Sequence, residues 1–277
     1  MAEGAPQRPY RGPLRAAIFD WAGTTVDYGS RAPAGVFIDV FKRRGVPITI
    51  EQARGPMGMH KRDHIAALLA LPAVTAMWRE LHGRPPEDAD AQSMYEELVP
   101  LQLACLADYA DVIPGTLETV EHCRKRGLKI GSTTGYNRPM MDLLLEEARQ
   151  RGYAPDCAVS GDEVPAGRPH PYMALLAAVQ LEVYPMEAIV KVGDTVPDIH
   201  EGLNAGMWTV AIAKTGNEIG LSEQDVAALP KGDLDVRLAA ASKRLRAAGA
   251  HYVIDGIGDL PPVLHEIEAR LARGERP

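Results

Sequence analysis

An apolar run from Leu14 to Phe19 stops abruptly at Asp20-Trp21-Ala22-Gly23-Thr24-Thr25. A short apolar run closed by turn residues reads as a buried strand, and a strand of that kind belongs inside a sheet covered by helices. An acidic residue at the carboxyl end of such a strand is well placed to be a site. The small residues that follow let backbone amides approach an anion, which suits attack on phosphorus with a metal ion nearby. The same residues also make an ordinary strand-to-turn junction with a capping Asp.

A second segment repeats the design: Ile189-Val190-Lys191-Val192 runs into Gly193-Asp194, with Asp198 four residues on. If the two strands are parallel neighbours, Asp20 and Asp194 share one sheet edge, where their repulsion calls for a divalent cation; hard oxygen ligands and partial hydration favour Mg2+. Asp198 falls near the start of the next helix, where it either holds a metal-bound water and the nearby loop or serves as a cap after Pro197. Between these segments a strand over Leu128–Gly131 leads into Ser132-Thr133-Thr134-Gly135, and further on stands Gly167-Arg168-Pro169. A Thr hydroxyl beside backbone amides binds phosphate oxygens, and a guanidinium neutralises charge on a transferring phosphoryl group. Taken singly, these are also a turn closed by hydroxyls and a solvated surface Arg.

Between the first two core strands the pattern turns helical. Val36, Phe37, Val40 and Phe41 keep helical spacing before Gly45, and helical stretches continue to Ala107 with breaks at Pro72 and Pro85-Pro86. Within this insert, Pro56-Met57-Gly58-Met59-His60-Lys61-Arg62-Asp63-His64-Ile65 reads as the start of a helix. On that spacing Met57, Lys61 and His64 lie on one face with Ile65 and Leu68, so Lys61 sits beside an apolar stripe. Desolvation there, aided by protonated His64 or Arg62, favours the neutral amine and makes Lys61 competent to form a Schiff base. The alternative is a Lys that snorkels from a helix edge.

From Leu128 onward, apolar segments (Leu128–Gly131, Ala188–Val192, Met207–Ala213) alternate with helical stretches such as Arg138–Arg151 and Pro171–Leu181, while 223–248 reads as surface helices. Alternation of this kind is the mark of an α/β fold with a parallel sheet.

The order strand-Asp, strand-Ser/Thr, Arg, strand-Gly-Asp resembles the haloacid dehalogenase superfamily. The fold implied is a Rossmann-like parallel sheet core of the haloacid dehalogenase type with an inserted α-helical cap domain. Its phosphatases carry a second Asp two residues after the nucleophile, to protonate a departing alcohol; here Ala22 stands at that position. Together with Met57-Gly58-x-x-Lys61-x-x-His64, Ser132–Tyr136, Val164–Pro169 and Lys191–Thr195, that departure resembles the phosphonoacetaldehyde hydrolase family, over roughly residues 14 to 215. The resemblance implies Asp20 as nucleophile and Lys61 as the Schiff-base amine, with His64 as its proton-transfer partner or modulator. It also implies Asp20, Asp194 and the Ala22 carbonyl as Mg2+ ligands, Thr134 and Arg168 on the phosphonate, Met57 and Tyr136 around the carbonyl carbon, and Asp198 in support. The substrate implied is phosphonoacetaldehyde, and the assembly a homodimer through the cap. An ester phosphatase or phosphomutase of the same superfamily stays open, as does, more remotely, a phosphate-binding module without turnover.

The domain division expected is a flexible leader over 1–13, a core of 14–28 and 108–277, and a cap of 29–107. A net charge of −7 argues against nucleic acid or anionic membrane as partner, so an anionic substrate must be met by local positive charge at Lys61 and Arg168. No apolar run approaches the roughly 20 residues of a membrane span. Cys105, Cys123 and Cys157 are widely spaced, which suits free thiols and a cytoplasmic setting.

Overall fold

A computed structural model of the chain describes residues 9–277, so the leader expected over 1–13 lies outside the described residues up to position 8. Tyr10, just inside them, rests against the core and donates its hydroxyl to the Pro13 carbonyl.

The first strand, β1 (Ala16–Phe19), is followed by five helices: α1 (Arg31–Arg43), α2 (Ile50–Arg54), α3 (Lys61–Leu69), α4 (Pro72–His82) and α5 (Asp88–Leu106). The chain then alternates through α6 (Thr116–Lys125), β2 (Lys129–Thr134), α7 (Arg138–Gln150), β3 (Cys157–Ser160), α8 (Tyr172–Gln180), β4 (Ile189–Gly193), α9 (Val196–Asn204) and β5 (Trp208–Ile212). It closes with α10 (Glu223–Ala228), α11 (Lys231–Ala247), β6 (Tyr252–Ile254) and α12 (Leu260–Ala272).

The six strands of the described residues form one parallel sheet in the order β3-β2-β1-β4-β5-β6. The α/β class with a parallel core is therefore the observed fold. β1 is wholly buried, and its residues alternate between two apolar clusters: Ala17 and Phe19 join one, Ala16 and Ile18 the other. Helices cover both faces, as a strand this apolar requires. The strand order reverses between β1 and β4, which pair in register Phe19↔Val192. A crevice opens outside the carboxyl ends of such strands, and Asp20 and Asp194 stand at its two sides.

Two local readings change. Ser132, Thr133 and Thr134 are not a turn after β2 but its last residues, because all three are buried and pair with β1 or β3. The segment from Met57 is not helical: α3 begins at Lys61, and Pro56–Met59 is a turn in which Gly58 has a φ of 92°. The surface helices read over 223–248 are present as two, α10 and α11, separated at Leu229 and Pro230.

Helix α1 starts without a cap from its own N-cap residue, Ser30, which lies in the left-handed region. Asp27 fills the role from outside, accepting the Arg31 and Ala32 N–H groups at 3.0 Å each. Burial pushes its carboxyl up to about 6 despite those two donors. Cys105, Cys123 and Cys157 are free, and among the described residues no helix is long and apolar enough to cross a membrane.

Candidate active site

Four loops at the carboxyl edge of the sheet and one turn of the helical insert meet in a single cavity. Asp20 and Ala22 follow β1, Thr134 ends β2 with Gly135 and Tyr136 just after it, Arg168 precedes α8, and Asp194 and Thr195 follow β4. The insert contributes Met57, Gly58 and Lys61. The space left is about 20 Å3, room for roughly one water. Every residue that the sequence nominates as nucleophile, imine amine, metal ligand or substrate contact lines this cavity, except His64 and Asp198.

The insert is pressed hard onto the core. A Cβ on Gly58 would collide with the Thr195 hydroxyl, and the backbone of Met59 and the ring of His60 settle against Gly135, Gly161 and Gly167. Arg54 of α2 ties the same side, donating to the carbonyls of Gly29 and Gly220 and to Asn217 Oδ1 at 2.9–3.0 Å. Asn217 in turn donates its backbone N–H to Asp194 Oδ2 at 2.7 Å. The contact between insert and core therefore reaches an acidic residue of the site in two steps.

On the core side, charges are dense and buried. Asp20, Asp194 and Asp198 bring carboxylate oxygens within 4.8 Å of one another. Arg168, 2% exposed, lies 2.8 Å from Asp20 Oδ1 and 2.9 Å from Asp198 Oδ1 through its Nη1. Lys191 projects from the middle of β4 and donates to Asp198 Oδ1 at 2.7 Å. Burial would raise the Asp198 carboxyl, but Arg168 and Lys191 overcome it and hold it below the usual range. The reverse holds for Asp194: burial, then the Asp20 and Asp198 charges, push it well above that range. Asp20 is raised by burial and by Asp198, against the pull of Arg168 and Lys191. Burial disfavours the Arg168 charge, yet Asp198, Asp20 and Glu201 keep it protonated.

This donor set fits a divalent cation. Four buried carboxylates, Asp20, Asp194, Asp198 and Glu201, face two buried cations of the core, Arg168 and Lys191, and a third, Lys61, across the cavity, so the carboxylates outnumber the cations by one. Asp194 Oδ1 is buried without a hydrogen-bond partner. An unpaired carboxylate oxygen beside a like-charged neighbour is costly unless something positive meets it. Asp198 is a weaker candidate ligand, since Lys191, Arg168 and the Thr195 hydroxyl already take its oxygens. It is also the third residue of a reciprocal cap with Thr195 at the start of α9. Both roles weighed from the sequence, cap and site support, thus fall to one carboxylate.

On the insert side, Lys61 is 4% exposed, and its Nζ lies 4.5 Å from the centre of the Tyr136 ring and 5.7 Å from that of Phe37. Burial brings its pKa down to about 8, with Asp20 opposing and Arg168 assisting. The source of assistance differs from the one expected. Arg62 points away to Asp88 and Gln92. His64 is fully buried, stacked on Phe37 at 3.8 Å, with Nε2 2.8 Å from the Ala53 carbonyl. Burial and the Lys61 charge hold it well below the usual histidine range, so it is neutral rather than a neighbouring cation. Its Nδ1 has no partner among the described residues.

Lys191, Thr133, Glu201, Arg54 and Asn217 were not nominated by the sequence. For two of them a signal exists: a lysine inside the apolar run of β4, and a glutamate one helical turn after Asp198 on the same face.

The family of haloacid dehalogenase-like hydrolases matches residues 14–206. The phosphonoacetaldehyde hydrolase of Nitratidesulfovibrio vulgaris is 51% identical over 270 residues, 98% of this chain and 96% of that protein. That of Syntrophobacter fumaroxidans is 50% identical over 270 residues, covering 98% of each. The crystal structure of a phosphonoacetaldehyde hydrolase-like protein from Oleispira antarctica superposes with a TM-score of 0.95 at 40% identity over the whole of both chains. The chain accordingly belongs to the phosphonoacetaldehyde hydrolase family of the haloacid dehalogenase-like hydrolases, and is an enzyme.

Proposed function

We propose that this enzyme cleaves the carbon–phosphorus bond of phosphonoacetaldehyde, yielding acetaldehyde and inorganic phosphate. The observation that carries the reading is the meeting of Asp20 and Lys61 in one small cavity, with Ala22 where a phosphatase needs its acid. The names of the relatives, at half identity over nearly the full length, support the same substrate.

Breaking a carbon–phosphorus bond directly would expel a carbanion. Lys61 removes that obstacle: its neutral amine adds to the aldehyde, water is lost, and the protonated imine becomes an electron sink. One Asp20 oxygen then attacks phosphorus, the electrons of the broken bond pass to the imine nitrogen, and a neutral enamine leaves. Thr134 and Arg168 meet the phosphonate oxygens as charge redistributes over them. In this reading His64, neutral and held at Nε2 by the Ala53 carbonyl, takes up or returns protons at the Lys61 nitrogen. Protonation of the enamine carbon and addition of water return Lys61 and release acetaldehyde; water on the acyl phosphate returns Asp20. A divalent cation, which we take to be Mg2+, would be held by Asp20, Asp194 and the Ala22 carbonyl and would supply charge neutralisation to the reacting groups. Asp198 supports the site by holding Lys191 and, until the phosphonate arrives, the Nη1 of Arg168.

The same reading treats residues 29–107 as a cap on a core of 14–28 and 108–277. A cavity of one water's size cannot admit the substrate, so the cap opens to load and closes to exclude water. Met57 and Tyr136 then enclose the carbonyl carbon. A cytoplasmic setting and a homodimer through the cap belong to this proposal, the latter checked by sedimentation of the purified protein.

The deciding experiment is release of phosphate and acetaldehyde from phosphonoacetaldehyde with Mg2+, beside a panel of phosphate monoesters. Equal amounts of both products from the phosphonate alone are expected. Ester hydrolysis without phosphonate cleavage would make the chain a phosphatase and Lys61 a cap residue.

A further inference from the structure

Arg168 spends every side of its guanidinium on the protein. Nη1 faces the cavity, against Asp20 and Asp198. The other two nitrogens are held from behind: Nη2 donates to the carbonyl and hydroxyl of Thr133, both at 2.8 Å, and Nε donates to Glu201 Oε2 at 2.9 Å. Glu201 is the hub of that rear wall. It is fully buried on α9, and the same Oε2 also receives the Thr133 hydroxyl at 3.0 Å and lies 3.4 Å from Lys191 Nζ. None of these contacts touches the cavity, and the reaction as proposed has no step for Glu201.

A fourth carboxylate buried beside three others is expensive unless its geometry accomplishes something. When a phosphonate enters, Nη1 must exchange Asp20 and Asp198 for substrate oxygens. A guanidinium anchored only through Nη1 would then be free to swing. One pinned along its Nε–Nη2 edge changes partners on the open side while its plane stays fixed.

From this geometry we infer that Glu201 is the positioning residue of Arg168: with Thr133 it clamps the rear edge, leaving Nη1 as the edge that trades carboxylate for phosphonate. Lys191 is the counter-charge that lets Asp198 and Glu201 remain side by side. The inference rests on the reading that Arg168 binds the phosphonate.

The test is a double-mutant cycle of Arg168→Ala with Glu201→Gln and Glu201→Ala. It reads kcat/KM for phosphonoacetaldehyde and the inhibition constant of inorganic phosphate, at a temperature where thermal unfolding curves show each variant folded. Glu201→Ala is expected to weaken both about tenfold to a hundredfold, the scale of a hydrogen bond to a charged group. Glu201→Gln should recover part of that loss, because its amide oxygen still accepts the Nε–H. In the Arg168→Ala background either change should alter both readings by no more than about threefold. Losses that multiply in full on Arg168→Ala would overturn the positioning role and leave Arg168 as phosphonate ligand intact. Phosphate affinity and kcat/KM untouched by Arg168→Ala itself would instead overturn the reading beneath it. Glu201 variants that lower the unfolding midpoint while both readings stay at wild-type values would reduce Glu201 to a structural residue.

Discussion

Lys61 occupies the first position of α3, where the positive end of the helix dipole adds to burial in disfavouring its charge. With its pKa at about 8, the amine is mostly protonated at pH 7 and mostly neutral at pH 9. Imine formation requires the neutral form, so its rate climbs with pH and levels once the amine is deprotonated. Acetaldehyde with borohydride traps that imine without any titrating group on the ligand. Trapping is expected to rise about tenfold per unit below pH 8 and flatten above it; an unperturbed lysine would level only near about 10.4. A plateau at that higher value would refute the desolvated amine. Lys61→Arg keeps the charge and cannot make an imine, so phosphonate cleavage should fall by at least about a thousandfold, with the thermal unfolding midpoint little changed. Appreciable residual turnover would remove the Schiff base from the mechanism.

Single elements show where the sequence spoke and where it was silent. β1 and β4 could be read because each is a buried, largely apolar run that leads into an acidic residue, and the reading brought Asp20 and Asp194 to one edge. β3 and β6, of 4 and 3 residues, lie at the two edges of the sheet and are only partly buried, so they leave a weaker signal. The turn before α3 was hidden for a different reason: Met57, Lys61 and His64 keep helical spacing, while the decisive feature is the positive φ of Gly58. Arg54 and Asn217, 163 residues apart, share no local pattern; their meeting is visible only in the folded chain. Gly58 gives the element scale its test. Gly58→Ala demands a left-handed Ala, a cost of about 1 kcal/mol or more, and puts a methyl into the Thr195 hydroxyl. The turn then cannot seat on α9, so kcat/KM should drop at least about tenfold while the core unfolds near its original midpoint. Unchanged kcat/KM would mean that this contact is not part of the closed, working state.

Across the whole molecule, a chain of net charge −7 buries Arg168, Lys191 and Lys61 at one site, and the four carboxylates buried with them still outnumber them by one. Asp194 carries most of this imbalance, its Oδ1 unpaired and its carboxyl raised by burial and by Asp20. A cation that binds the folded chain alone must therefore stabilise it. At one hundred times its dissociation constant the gain is about 2.7 kcal/mol, or roughly 5 °C in midpoint for a chain of this size. Chelation with EDTA should lower the midpoint by that amount, and Mg2+ should restore it. Asp194→Asn separates the site from any other cause. The amide keeps the shape and removes the repulsion, so the metal-free variant should be at least as stable as metal-free wild type, while Mg2+ should no longer raise its midpoint. Equal Mg2+ shifts in both proteins would place the cation elsewhere and leave the Asp194 carboxylate to another partner.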